Sequence, residues 1–315
     1  MAGTVNWTAI EAFTRDIVLP NVFDQIFKAN PVFSILDGKG IKERSGKDIR
    51  VLTEYAKNAG AGSYSGLDVL PTTRNEKFGD TVLTWKQAQC PIVFSGREDF
   101  QNSGPEEIES IVTNEVQNAK TTIQDIMGTA LYTDGTGNNS KDIDGFIAAI
   151  DDGSNVATYA GIARGTYTWW KSGYTTWVAT PVSLNAMQSI TGARTDGSIK
   201  PDYLFTSQAI YDKFYELVVP MQRQHSDGMA RAGFDNIMIN GRTMVVDSHC
   251  GATDIWVVNS DYLSMVTAKG RNFTMGPFQT PTNQDARISR ILWAGNLVNK
   301  SCRRHARVYA VDVTL

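Results

Sequence analysis

The strongest periodic signal in the chain lies over residues 103–132. Ile108, Ile111, Val112, Ala119, Ile123, Ile126, Met127, Ala130 and Leu131 recur there at three- and four-residue steps, while Asn114, Gln117, Asn118 and Lys120 fall off the stripe. This predicts one amphipathic helix with its body over 104–132, about 40 Å long at 1.5 Å per residue. Ser103 and Glu106 stand at capping-box spacing, Pro105 sits in the first turn, and Glu106 and Glu107 put negative charge at the positive end of the dipole. Asp134, Gly135 and Gly137 end the run. A rod with one apolar face predicts a spine lying across a flat body.

The other elements arrange themselves around that spine. Residues 1–30 carry short amphipathic helices through Trp7, Ile10, Phe13, Ile17, Val22, Phe23, Ile26 and Phe27, interrupted at Pro20 and closed by Asn30 and Pro31. No neighbouring segment covers those aromatics, so the arm is expected to need another subunit. Residues 47–55 alternate as a strand, with Ile49, Val51 and Thr53 on one face, and residues 81–95 form a second extended run whose Pro91 suits a sheet edge. The Gly- and Ser-rich stretch between them makes a two-stranded ribbon with a flexible tip of roughly 25 residues, too thin to offset its own ordering entropy. The ribbon, like the arm, needs a neighbour.

Beyond the spine come a loop, a Gly-rich link to Trp169 and Trp170, a helix over 181–192, and a strand over 201–206 running into a helix capped at Thr206 or Ser207. Residues 236–267 are strand-dominated, with Asn240 and Gly241 as a type I′ hairpin turn. Two long strands, 286–297 and 302–313, are expected to pair with each other or with the ribbon. The class is α+β.

Composition narrows the functions. The 315 residues are 42% hydrophobic and 20% charged with formal net charge −3, which argues against a strongly basic nucleic-acid reader. No run of 18 apolar residues occurs, and the N-terminus lacks a basic region followed by an apolar one, so a cytosolic product without a signal peptide or membrane partner is expected. Cys90, Cys250 and Cys302 are too few and scattered for a disulfide framework and are read as reduced thiols.

Candidate chemistry is sparse. The glycines at 60–66 lack the spacing of a phosphate loop. His249 and Cys250 with Cys302 and His305 offer zinc-type ligands, but neighbours on a strand point to opposite faces, and ordinary half-buried residues are the preferred reading. Asp142, Asp144, Asp151 and Asp152 include a D-x-D, without the rest of a calcium loop, and are read as a solvated turn. Trp169, Trp170 and Trp177 are read as packing and interface anchors ahead of a sugar or base platform. Arg290, Lys300, Arg303, Arg304 and Arg307 stand as either phosphate contacts or a solvated, ion-paired face. No catalytic, cofactor-binding or metal site is assigned, and the chain is expected not to be an enzyme. A metal-dependent hydrolase using the His and Cys residues and a tail or glycan-binding protein using the tryptophans remain as readings of other classes.

The succession of parts resembles the major capsid protein of tailed double-stranded DNA bacteriophages, the HK97-like fold: an apolar arm, a ribbon with a Gly-rich tip, the spine running into ALYTDGTG, then IDGFIAAID, YAGIARGTYTWW, IWVVNSDYLSM and RISRILWAGNLVNK. The resemblance spans nearly the whole chain. It implies an N-terminal arm over 1–40, an extended β-hairpin loop over 41–97 that overlaps the adjacent subunit, a peripheral domain from 98–150 and 268–315 carrying the spine helix, and an axial α/β domain over 151–267. Subunits would close as hexamers and pentamers into an icosahedral shell, a virion capsid assembled in the host cytoplasm around double-stranded DNA held by weak non-specific contact. Implied partners are a scaffolding protein, a portal and decoration proteins; because the ordered pattern starts at once, the scaffold is expected to be separate or absent. Lys57 and Lys77 match no crosslinking constellation, so closure is expected to be non-covalent. An encapsulin-like nanocompartment is the alternative within the same fold.

Overall fold

In the computed structural model, residues 30–38, 44–101, 111–178, 182–222 and 238–312 are described. The arm over 1–29 and the capping box at Ser103 and Glu106 lie outside these residues. Asn30 and Pro31, read as the close of the arm, open a helix, α1 (Pro31–Gly38). The Asn30 side-chain oxygen accepts the Phe33 N–H at 3.0 Å, and Pro31 occupies the first helical position, where a missing N–H costs nothing. Val32, Phe33 and Leu36 of α1 are buried.

The ribbon is real but shorter than its sequence pattern. β1 (Ile49–Glu54) pairs antiparallel with β2 (Phe78–Leu83), Ile49 opposite Leu83 and Glu54 opposite Phe78. The expected second strand over 81–95 is two strands in two sheets. After Leu83 the chain leaves the ribbon, and β3 (Lys86–Ser95) pairs with β13 (Ala286–Asn299), Lys86 opposite Gly295 and Ser95 opposite Ala286. The break is made by distant partners: the Asn296 amide donates to the Thr84 carbonyl at 3.0 Å, and the Trp85 indole donates to the Gly46 carbonyl at 2.9 Å. β11 (Leu263–Thr267) and β12 (Thr274–Met275) line the other side of β13 end to end. β3 is therefore an edge strand, as Pro91 requires. It ends in a capping box that opens α2 (Gly96–Gln101): Ser95 Oγ accepts the Glu98 N–H at 3.3 Å and Glu98 accepts the Ser95 N–H at 2.8 Å.

The spine, α3 (Ile111–Leu131), is about 30 Å long over its described residues. It packs on β3 and β13 through an i, i+4 row of Ala119, Ile123, Met127 and Leu131, all buried. Ile126 lies on the flank of that row and is half exposed. Two short turns, α4 (Gly137–Ser140) and α5 (Phe146–Ala149), and the hairpin β4 (Thr158–Tyr159) and β5 (Ile162–Ala163) lead to the second sheet.

That sheet contains β6 (Gly173–Thr176), β7 (Tyr203–Thr206), β8 (Met238–Ile239), β9 (Arg242–Val246), β10 (Ile255–Val258) and β14 (Ala306–Tyr309), in the order β6-β14-β10-β7-β9-β8. Asn240 and Gly241 join β8 to β9 with φ of 51° and 74°, both positive as a type I′ turn demands. Alternation sets the packing: Leu204, Ile255, Val257 and Val308 face a core shared with Met187 of α6 (Leu184–Ala193) and Ile210 and Phe214 of α7 (Gln208–Gln222). Phe205, Trp256 and Val258 face the larger core, where Trp256 meets Phe146 at 5.6 Å and Phe146 meets Tyr132 edge-on at 5.3 Å. The two bodies share this wall. The terminal strands do not pair with each other: Cys302–Arg304 is a 3-10 turn, and β14 runs between β10 and β6 while β13 stays in the first sheet.

Candidate functional site

Three groups of residues that the sequence separates meet at the foot of the ribbon. Leu52, Tyr55 and Lys57 at the end of β1, Trp169 and Trp170, and Tyr262 with Lys300, Arg303 and Arg304 line a groove of about 590 Å³. Its aromatic wall is built by Tyr55 stacked on Trp169, ring centroids 5.1 Å apart and 12° from parallel, with Tyr167 edge-on to Trp169 at 6.1 Å. The Arg304 guanidinium lies 4.8 Å from the Tyr262 ring centroid, a cation–π contact. Asp196 pairs with both Arg303 and Arg304. Lys57, Lys300, Arg303 and Arg304 thus face a single lining carboxylate, Glu54.

The remaining candidates are taken into the core or stand apart. Arg307 is buried between Trp256 and Tyr309 and ion-pairs with Asp254 at 3.0 Å; Arg290 is exposed and does not line the groove. Trp170 is fully buried, its indole donating to the Tyr159 carbonyl at 3.1 Å, and Trp177 is buried in the other core. The three tryptophans form no single platform; Trp169 alone stays half-buried beside the ribbon.

The two pairs offered as zinc ligands serve different networks. His249 lies between two carboxylates, Nδ1 at 3.0 Å from Asp247 and Nε2 at 2.9 Å from Asp125, and the Tyr132 hydroxyl donates to the other oxygen of Asp247 at 3.1 Å. This chain of contacts ties the spine to the loop after β9. Burial pushes the Tyr132 hydroxyl and Cys250 thiol upward, with further contributions from neighbouring groups. His305 is completely buried and accepts the Asn259 N–H at Nδ1; burial, then the charge of Arg304, pushes it down to about 3, so it is neutral. Burial pushes the Cys302 thiol up to about 12. Among the described residues no three His, Cys, Asp or Glu side chains converge in a metal-binding group.

The acidic run is no solvated turn throughout. Asp151 is fully buried and organises its loop, accepting N–H bonds from Gly153, Asn155 and Val156 at 2.8–3.1 Å. Burial acts to raise its carboxyl, but these donors outweigh it and hold the group below the usual carboxylate range. Arg164, also fully buried, stands 3.9 Å away and donates to the carbonyls of Val156 at 2.9 Å and Ala148 at 2.7 Å. Asp144 is bound at 2.6 Å by the Asn296 amide that also fixes the break in the ribbon. Sequence reasoning missed both carboxylate networks, because Asp125 and Arg164 look locally like ordinary surface charges.

No family model matches this chain, and no curated protein matches it. Solved structures do. The capsid subunit of cyanophage A-1(L) superposes with a TM-score of 0.75, covering 95% of this chain and 98% of that one at 16% identity. The fold is the HK97-like capsid fold. The capsid of the native GTA particle follows at 0.68, with 96% and 98% covered and 10% identity. The SrpI encapsulin of Synechococcus elongatus superposes at 0.67, with 98% and 96% covered and 10% identity. At 10–16% identity what is shared is the HK97-like fold, over nearly the whole chain, and that fold occurs in capsids and in an encapsulin alike.

Proposed function

We propose that this chain is a structural protein, the major subunit of an icosahedral shell in which hexamers and pentamers enclose double-stranded DNA. The observation that carries the reading is the ribbon. The foot of the ribbon packs on the body through Ile49, Leu83 and the Tyr55–Trp169 stack, but Leu52 on β1 is 81% exposed, Phe78 on β2 69%, and Leu67 and Val69 in the tip between the strands 102% and 95%. A thin ribbon with apolar side chains in water is stable only against a second copy. Likeness of fold to the subunits of phage and GTA capsids over nearly the full chain supports the same reading.

On this proposal residues 1–40 are a strap, 41–97 the overlapping loop, and 98–150 with 268–301 the peripheral domain on the spine. The axial domain is then 151–267 completed by 302–312, since β14 lies in the six-stranded sheet. The chain acts as a container and not as an enzyme; it resides in the virion, is assembled in the host cytoplasm, closes non-covalently, and works with a portal, a scaffold where one exists, and surface proteins. No described helix is long and apolar enough to cross a membrane. Electron microscopy of expressed protein is expected to show shells or hexamers; a persistent monomer under crowding and salt overturns the proposal. The likeness to the SrpI encapsulin favours a second reading, a compartment holding cargo. Copurifying protein cargo in place of nucleic acid selects it.

A further inference from the structure

We infer that the groove at the foot of the ribbon is a binding site for a nucleotide strand, taking phosphates on its cationic rim and a base on its aromatic wall. The inference goes beyond the shell reading and holds or fails for the chain on its own. Four cations, Lys57, Lys300, Arg303 and Arg304, border the 590 Å³ space against Glu54 in the lining and Asp196, which Arg303 and Arg304 share. Its wall is the Tyr55–Trp169 stack, with both rings only partly covered. Positive charge beside partly exposed aromatic faces is the combination that holds unpaired nucleotides, because every base offers a π-face and every link a phosphate.

A second observation is that Arg304 is fixed in the groove wall: its Nη2 reaches Asp196 at 3.4 Å and its guanidinium rests on Tyr262. Duplex DNA stacks its bases internally and offers no free π-face, so the groove favours single strands. This is a defined site, distinct from a diffuse contact between a shell wall and packaged duplex.

Fluorescence anisotropy of a short fluorescein-labelled oligothymidylate with the purified full chain tests it. The single strand is expected to bind more tightly than a duplex of equal length. Lys57→Glu with Arg303→Glu, both on exposed side chains, is expected to weaken binding about tenfold or more and to lower the salt slope by about two. Lys269→Glu with Arg290→Glu, an equal change of charge elsewhere on the surface, leaves binding intact. Tyr55→Ala weakens the single strand and not the duplex, and unchanged melting temperatures certify the folds. Excess adenosine triphosphate is expected not to displace the strand; full displacement by the free nucleotide overturns the assignment of a strand. Equal losses from the two double variants, equal affinity for duplex and single strand, or matching binding of polyglutamate with the same mutational pattern would each overturn it.

Discussion

The run from Thr81 to Ser95 reads as one extended segment and has two fates. Its first part, the end of β2, joins a ribbon that leaves Phe78 69% exposed; its second, β3, lies on β13 under the spine with Ile92 and Phe94 buried. The residue types hardly differ. The difference is in what lies above: ten residues of β13 pair with β3 and the α3 row closes over it, whereas β2 has only the six residues of β1. Strand propensity makes a chain extended, and burial alone decides whether the strand carries the fold or waits for a partner.

That contrast can be broken from either side. Ile123→Asp places a charge without a partner in the spine seam and is expected to cost upward of about 4 kcal/mol, leaving the subunit insoluble on expression; soluble variant at wild-type yield would mean that the row faces another way. Arg164→Met strips the donors from the carbonyls of Val156 and Ala148 and leaves Asp151 without its cation. Urea denaturation should register a loss of about 3–5 kcal/mol. Asp151 adds a pH signature. Its carboxyl sits below its ordinary value when folded, so its contribution is complete above about pH 4 and is lost as pH falls through the lower folded value. Asp151→Asn should flatten that acid limb of a melting curve.

His249→Ala removes the contact to Asp125 on the spine and the one to Asp247 in its own loop and is expected to cost about 1–3 kcal/mol, read as a drop in melting temperature. The smallest effect on the isolated subunit belongs to the ribbon. Leu67→Asp should leave unfolding within about 0.5 kcal/mol of wild type, because the side chain is already in water. The same change should abolish assembly in light scattering, and normal shells from it would move the subunit contact away from the tip.

Much of this was legible locally. The spine from Ile111 onward, the Asn240 and Gly241 turn, the helices after Pro181 and Ser207 and the edge character of β3 all follow from periodicity, capping residues and one missing N–H. Other features had no local signal. Thr84 and Trp85 carry no turn chemistry; an amide 212 residues away ends the strand there. Asn30 and Pro31 carry signals for either end of a helix, and the start of α1 shows only in the burial of Val32 and Leu36. Of the candidate site, the sequence showed the cations near 300 and the tryptophans near 170 as two sets, but not that Tyr55 and Lys57 would join them.

By itself, then, the sequence determined which segments are helical or extended and that the order of parts is that of the HK97-like fold. These depend on neighbours a few residues apart, whose spacing is written in the chain. Only the tertiary structure decided that β14 enters the six-stranded sheet while β13 stays behind, that His249 spans Asp125 and Asp247, and that the cations and aromatics share one groove. Those outcomes turn on pairings across 50 to 250 positions, where several partners satisfy the same alternation and only simultaneous burial of all of them selects one.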